Sequence, residues 1–182
     1  MKDRICRLGV LFIVIFSLAG CSSMNIDEFA GNEPELKIEE YFQGKTWAWG
    51  IVEDRFGQLR RSFKVVMNGD YKNNQLILDE DFFYDDGTLD KRIWKIDTLE
   101  GNRYRGTAEG VIGTATGKRA GNAFNWQYEM DLEISGRKWR VKFDDWLFLQ
   151  PDGVLINRAT ISKWGITLGS LTFVFTKQEP GQ

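Results

Sequence analysis

Histidine is absent from the 182-residue sequence. Because histidine is the commonest general base in enzymes and the commonest ligand of transition metals, its absence excludes Ser-His and Cys-His catalytic pairs and leaves few ways to bind such a metal. A catalytic site built on carboxylates or lysine remains open, although no motif indicates one. We therefore expect no metal site and no cofactor, and we expect a binding protein more than an enzyme.

Cysteine and proline are also scarce. The two cysteines, Cys6 and Cys21, both lie near the amino terminus, so the rest of the chain cannot form a disulfide and must fold on its own core. The three prolines all fall outside the runs of extended pattern described below. Glycine is frequent by contrast, with 19 residues, and supplies most of the predicted turns.

The first 20 residues have the features of a secretory signal peptide. Lys2, Arg4 and Arg7 give a basic start, and an apolar run follows from Leu8 to Leu18. This run is too short for a membrane-spanning helix, which needs roughly 20 apolar residues. The leader therefore predicts export of the protein.

The end of the leader, Leu18-Ala19-Gly20-Cys21, resembles the lipobox of bacterial lipoproteins at every position. The resemblance implies cleavage before Cys21, lipid on that cysteine, and a membrane as the partner of the mature protein. Ser22 stands where an Asp retains many lipoproteins of Gram-negative bacteria in the inner membrane, so the resemblance also implies the periplasmic face of the outer membrane. The alternative is an ordinary signal peptide followed by a cysteine that carries no lipid.

The predicted organisation is a leader (1–20), a lipidated cysteine with a flexible tether (21–34) and a globular domain (35–178). The formal net charge of −2 becomes more negative when the basic leader is removed. An acidic surface argues against binding to nucleic acid and against strong attraction to anionic head groups. The oligomeric state is not indicated.

The globular part repeats one pattern of extended run, tight turn and extended run. The runs lie near 45–54, 58–68, 75–84, 90–98, 102–113, 123–134, 137–149, 153–164 and 167–177. Short strands joined by turns of glycine, Asp and Asn predict an all-β domain. We expect an antiparallel up-and-down β-barrel of about 8–10 strands, with a short helical turn over 35–42 before it. A two-sheet sandwich is the alternative, but the short sequential connections favour the barrel.

Apolar and polar residues alternate strictly in the run 124–134. Trp126 and Tyr128 share one face, and Glu129 and Asp131 share the other. A membrane-spanning barrel turns its apolar face to lipid and its polar face to the lumen, which would put these carboxylates inside. We expect the opposite arrangement, an apolar interior in a barrel held beside the membrane.

Four charged residues fall on strand faces that are otherwise apolar: Glu80, Arg92, Asp145 and Arg158. If those faces point inward, two acids and two arginines lie in the barrel, where unpaired charge costs several kcal/mol. One interpretation is a closed network of ion pairs that fills one end of the barrel. The other is an arginine, Arg92 or Arg158, that is available to a ligand carboxylate or phosphate.

The seven tryptophans all follow residue 46 and are spread over many of the predicted strands. They either fill the barrel or line a cavity for an acyl chain or a flat apolar ligand, with Trp94, Trp126 and Tyr128 as candidate contacts. The run 104–117 is rich in glycine and alanine. Its small residues make room either for a neighbouring backbone or for a ligand.

Residues 39–50 resemble the start of lipocalins, in which a short helical turn precedes a Gly-x-Trp strand. Here Glu39-Glu40-Tyr41-Phe42 and Gly44 precede Trp47-Ala48-Trp49-Gly50, with Gly-x-x-Trp spacing. Over roughly 40–177 the sequence resembles an uncharacterised family of lipocalin-like bacterial lipoproteins. The residues that carry this likeness are Asp54-Arg55-Phe56-Gly57, Asp85-Asp86-Gly87, Arg92-Ile93-Trp94, Gly121-Asn122-Ala123, Asp144-Asp145-Trp146 and Ile156-Asn157-Arg158.

The resemblance implies a calycin-type barrel and, because such folds mostly bind small apolar molecules, a binding function. Fold alone does not determine function. The leading hypothesis is a binding module for a lipid or similar apolar ligand. The alternatives are a structural or partner-binding lipoprotein with a filled barrel, and an enzyme that acts on lipid through Glu80 or Asp145. A ligand site needs a cavity of a few hundred Å³, so the cavity volume separates the first two hypotheses.

Overall fold

The computed structural model describes residues 24–134, 136–179 and 181. A 3-10 helix, Ile26–Phe29, and one short α-helix, α1 (Ile38–Tyr41), precede the strands. The ten strands are β1 (Gly44–Asp54), β2 (Leu59–Lys72), β3 (Gln75–Tyr84), β4 (Leu89–Leu99), β5 (Arg103–Thr107), β6 (Val111–Ala120), β7 (Ala123–Ile134), β8 (Arg137–Leu149), β9 (Leu155–Lys163) and β10 (Ile166–Thr176). The predicted signal peptide and Cys21 lie outside the described residues.

The ten strands form one closed antiparallel barrel in which each strand pairs with its neighbours in sequence. Strand β1 pairs with β10 over eight residue pairs, from Trp47 opposite Thr176 to Asp54 opposite Gly169. This last pairing closes the sheet and removes its edges. The prediction of an up-and-down barrel is confirmed, and the sandwich alternative is wrong.

One predicted strand is in fact two. The run 102–113 contains a turn at residues 108–110, which separates β5 from β6. Strand β6 then continues through Gly117 to Ala120, where the sequence predicted a turn, and the real turn lies at Gly121 and Asn122. The register of β6 against β7 shifts between Ile112 and Thr116, which marks a β-bulge. The glycines of this stretch belong to a strand, although glycine content is also typical of a turn.

Helix α1 covers one end of the barrel. Ile38 and Phe42 are buried, and the Tyr41 hydroxyl donates to the Gly153 carbonyl at 3.1 Å. The Tyr104 hydroxyl donates to Glu39 at 2.9 Å. The predicted helical turn over 35–42 is therefore present, and it closes the end at which the β2–β3, β4–β5, β6–β7 and β8–β9 turns lie. None of the described helices is long and apolar enough to cross a membrane.

The segment before α1 packs on the outer wall of the barrel. The Phe29 ring lies 6.0 Å from the Trp146 ring and 5.5 Å from the Phe148 ring, and Lys118 pairs with Asp27 at 2.6 Å. The 3-10 helix lies within the predicted tether (21–34). It packs on the wall because β8 presents an apolar strip on its outer face, where Trp146 is buried.

Small residues on β5 and β6 make room for one indole. A Cβ added to Gly117 would lie 2.5 Å from Trp126 Cε3, and one added to Gly106 would lie 2.9 Å from Trp126 Cζ2. The space left by these glycines is therefore occupied by Trp126 inside the barrel. The seven tryptophans all belong to the described part of the chain, and among them Trp94 and Trp126 line the interior cavity.

Gly117→Ala should lower the free energy of unfolding by about 1–3 kcal/mol, because the new methyl group overlaps the Trp126 ring and also crowds the Asn125 carbonyl and the Phe124 ring. Urea denaturation measures this loss. The double variant Gly117→Ala/Trp126→Phe should lose less than the sum of the two single variants, since the smaller ring vacates the space. Thr116→Ala, at an exposed neighbour, is the control. Strict additivity of the two substitutions would contradict the packing explanation.

Candidate functional site

The barrel encloses a cavity of about 100 Å³. Side chains from the barrel strands and α1 line it: Ile38, Phe42, Met67, Leu78, Glu80, Phe82, Arg92, Trp94, Ile96, Phe124, Trp126, Tyr128, Asp145, Leu147, Asn157, Leu171, Phe173 and Phe175. Most of these residues are apolar, as in small-molecule sites, but such sites usually measure about 300–1,000 Å³.

Charged and polar groups interrupt the apolar lining at one level. Glu80 on β3 lies directly opposite Arg92 on β4, and Asp145 reaches the same space from β8. Glu80 and Asp145 are buried. Their positions follow from the two-residue period of a strand, since each falls on the inward face among apolar neighbours.

Arg92 has no carboxylate within 4.0 Å among the residues that the structure describes. Its guanidinium lies 5.2 Å from the centre of the Phe82 ring, on the face of the ring. Burial is the largest single influence and opposes the charge on this group, but Glu80, Tyr128, Tyr84 and Asp90 together outweigh burial and raise the pKa of Arg92. The arginine is therefore ionised and faces the cavity without a direct ion pair.

Both interior carboxyl groups have raised pKa values. Burial raises the pKa of Glu80 to about 7, against the lowering effect of Arg92. Burial likewise raises the pKa of Asp145 to about 7, with Tyr128 and Arg92 acting against it and Asp144 and Glu80 adding to it. With one acid protonated and the other ionised, the pair balances Arg92. The site thus exchanges a proton near neutral pH without leaving the barrel strongly charged.

Two buried acceptors in the lining, Asp145 Oδ1 and Asn157 Oδ1, have no hydrogen-bond partner among the described residues. A buried acceptor without a donor costs about 1–3 kcal/mol. Together with Arg92 they give the cavity one cationic donor group and two free acceptors. This arrangement can hold a small molecule that carries both an anionic and a hydrogen-donating group.

The structure brings most of the predicted site residues together. Glu80, Arg92, Trp94, Trp126, Tyr128 and Asp145 all line the cavity. Within residues 24–134 and 136–179, no cluster of three or more Asp, Glu, His or Cys is arranged to hold a metal ion.

The expectation that Arg158 lies inside the barrel is wrong, because its side chain is exposed. Strand β9 starts at Leu155, after a turn closed by the Gln150–Val154 hydrogen bond of 2.8 Å. That start places Leu155, Asn157 and Ala159 inward, and it shifts the alternation by one residue from the predicted face. The closed network of two acids and two arginines therefore does not form. Asn157, the neighbour of Arg158 on the opposite face of the strand, takes part in the cavity lining instead.

Glu80→Gln and Asp145→Asn should each raise the free energy of unfolding at pH 8 by on the order of 1 kcal/mol. The unfolded chain releases these protons near its ordinary pKa values of 4.5 and 3.8, whereas the folded protein keeps them until about pH 7. In the native protein their contribution to stability therefore falls as the pH rises between about 4 and 7. Urea denaturation at pH 5 and pH 8 measures the difference between each variant and the native protein.

The double variant Glu80→Gln/Asp145→Asn should instead be less stable at both pH values, because Arg92 then has no interior carboxylate. Asp81→Asn, an exposed acid on the same strand, is the control and should keep the native pH dependence. Additive effects of the two substitutions would show that the acids do not share the charge of Arg92.

The chain matches a model of a protein family over residues 15–177, which include all ten strands. The family is described as "Protein of unknown function (DUF3833)". A comparison with curated proteins found no match. The ten-strand antiparallel barrel fits a lipocalin-like fold. The chain belongs to the DUF3833 family of proteins of unknown function.

Proposed function

We propose that this protein is a lipid-anchored lipoprotein of the cell envelope whose barrel binds a small amphiphilic molecule, with the anionic group of the ligand beside Arg92. The observation that carries the proposal is Arg92 itself, which lines the interior cavity and has no carboxylate within 4.0 Å among the described residues. A guanidinium in a low-dielectric site binds a carboxylate or phosphate strongly, since its planar fork matches two oxygens.

The anchor rests on the sequence. The basic start, the short apolar run and Leu18-Ala19-Gly20-Cys21 together support lipidation of Cys21. The proposed location is the periplasmic face of the outer membrane.

The volume of the cavity limits the size of the ligand. A cavity of about 100 Å³ is smaller than the about 300–1,000 Å³ of most small-molecule sites. A long acyl chain would have to displace rings such as Trp126 or Phe173. We therefore narrow the ligand from lipids in general to a short molecule with an anionic head and a small apolar part.

The same volume favours a second candidate function. A barrel filled by its own side chains can serve as a rigid structural or partner-binding domain that takes no ligand. In that case Arg92, Glu80 and Asp145 balance one another's charge inside the barrel. The outer surface of the barrel then makes the contacts with partners.

Arg92→Met should abolish ligand binding, because it removes the cationic group and keeps a side chain of similar length. Native mass spectrometry measures bound small molecules on the chain from Ser22 onward after incubation with membrane extract. Arg158→Met is the matched control, since that arginine is exposed on the outer wall. The native chain and Arg158→Met should both carry an added mass that Arg92→Met lacks.

Circular dichroism checks that Arg92→Met keeps the barrel. An added mass in all three proteins would place the ligand elsewhere, and no added mass in any of them would favour the second candidate. The anchor is tested separately by the mass of Cys21 in protein purified from membranes. An unmodified Cys21 would contradict lipidation.

A further inference from the structure

The polar groups of the cavity lie on opposite walls of the barrel. In the closed ring of strands, β3 and β4 are half a turn away from β8 and β9, so these two pairs face each other across the interior. Glu80 and Arg92 belong to the first pair, and Asp145 and Asn157 belong to the second. All four side chains line the same cavity. A ligand between the walls therefore meets different polar groups at its two ends.

The wall of β3 and β4 offers a cation. Arg92 lies directly opposite Glu80 in the ladder between these strands, but no carboxylate oxygen of the described residues comes within 4.0 Å of its nitrogen atoms. The guanidinium lies 5.2 Å from the centre of the Phe82 ring instead. An arginine side chain carries five N–H donors in a fixed fork. These donors therefore remain available to the oxygen atoms of a ligand.

The wall of β8 and β9 offers acceptors. Asp145 and Asn157 are only 5% and 6% exposed, and the Oδ1 atom of each has no hydrogen-bond partner among the described residues. The ladder pairs Asp145 with Ala159 and Leu147 with Asn157, so the two acceptors occupy diagonal positions on neighbouring strands. Diagonal neighbours in a sheet lie about 7–8 Å apart. One donor group placed between the two side chains can therefore reach both.

An ammonium group is the donor that suits this pair of acceptors. It carries three hydrogen atoms and a positive charge, and Asp145 can supply the matching negative charge. A hydrogen bond between charged partners is roughly twice as strong as one between neutral partners. A hydroxyl group has a single hydrogen atom, so it would satisfy Asp145 or Asn157 but not both.

Aromatic rings stand beside these acceptors. Trp126 lies directly opposite Asp145 in the ladder of β7 and β8, and its ring centre is 5.6 Å from that of Trp94. The Trp94 ring centre is in turn 5.3 Å from that of Tyr128, and all three rings line the cavity. The face of an aromatic ring attracts a cation. These rings therefore favour an ammonium group and cover the short carbon chain that carries it.

The charges inside the barrel favour a ligand without net charge. The titratable side chains that line the cavity are Glu80, Arg92, Tyr128 and Asp145. Burial raises the pKa values of both acids to about 7, and the neighbouring Asp79 and Asp144 act on them more weakly than burial does. Near neutral pH one ionised carboxylate therefore balances Arg92. A ligand with a single negative charge would disturb this balance unless the site took up a proton, whereas a zwitterion leaves it unchanged.

We propose that the ligand is a short zwitterionic amino acid, whose carboxylate pairs with Arg92 and whose ammonium group lies between Asp145 and Asn157. The inference rests on the proposed binding function for the contact with Arg92, and it adds a second contact on the opposite wall. The cavity volume of about 100 Å³ keeps the carbon chain between the two charged groups short. Glu80 is then protonated, because Arg92 and Asp145 each have a charged partner in the ligand.

The first test is isothermal titration calorimetry of the complete protein in lipid nanodiscs at pH 7. The probes are 4-aminobutanoate, 4-hydroxybutanoate, butanoate and butylamine. 4-Aminobutanoate should bind at least about tenfold more tightly than each of the others, because each of them lacks one of the two charged contacts. Glycine and 3-aminopropanoate, compared with acetate and propanoate, extend the test to shorter chains, and the preference should appear at one or more of the three lengths.

The outcomes separate this inference from the proposed function. If the simple acids bind as tightly as the amino acids and Arg92→Met abolishes both, the inference is wrong and the proposed function stands. Equal binding of 4-hydroxybutanoate and 4-aminobutanoate would likewise overturn the ammonium contact. Binding of none of the probes would also overturn the inference, while the proposed function keeps its own test in the added mass that Arg92→Met lacks.

The second test removes one acceptor. Asn157→Leu replaces the amide with an apolar group of similar size and should reduce the preference for 4-aminobutanoate over butanoate by about tenfold. Arg158→Leu, the same replacement at the exposed neighbour, is the control and should keep the native preference. Circular dichroism checks that both variants retain the barrel. An unchanged preference in folded Asn157→Leu would contradict the placement of the ammonium group.

The third test counts protons, which a change in affinity alone does not reveal. Heats of binding at pH 7 in phosphate and in Tris, two buffers with different ionisation enthalpies, report the protons that the site takes up. At saturation butanoate should bind with uptake of about one proton, and 4-aminobutanoate should bind with almost none. The same proton uptake with both probes would contradict the charge balance on which the inference depends.

Discussion

Pairing between β1 and β10 is the constraint on which the rest of the molecule depends. Once that ladder closes the sheet, each strand has an inner and an outer face, so each side chain points either into the barrel or out of it. Closure therefore decides which charges are desolvated and which turns share an end. Closure also stabilises the barrel, which has no disulfide, because the aromatic side chains pack against one another in a single enclosed core.

The interior shows how closure creates chemistry from ordinary residues. Glu80, Arg92 and Asp145 belong to three different strands and are brought to one cavity by the barrel. Burial makes both acids weak, and a shared arginine keeps the group near electrical neutrality. The cavity is small, polar at one level and otherwise apolar, and for this reason the ligand that we propose is a short amphiphilic molecule and not a long lipid.

The success and failure of sequence reasoning can be traced to particular residues. The inward faces of β3, β4, β7 and β8 were predicted correctly, because their long alternating patterns specify the two-residue period. The face of β9 was predicted wrongly, because its phase is set by its pairing with β8, where Leu155 lies opposite Leu149 and Asn157 opposite Leu147. The local pattern around Asn157 and Arg158 is compatible with either face. The division between β5 and β6 was missed for a related reason, since glycines that accommodate Trp126 in a strand have the same appearance as glycines of a turn.

The sequence by itself determined the class of the molecule: an all-β domain of short antiparallel strands with an apolar interior and no histidine or disulfide chemistry. These properties follow from composition and from local periodicity, which depend on residues close together in the chain. Only the tertiary structure decided that Arg92 and not Arg158 enters the cavity, that the cavity is small, and that Phe56, Leu89 and Trp164 share one end. Those facts depend on strand register and barrel closure, which relate residues that are far apart in the sequence and leave no local signal.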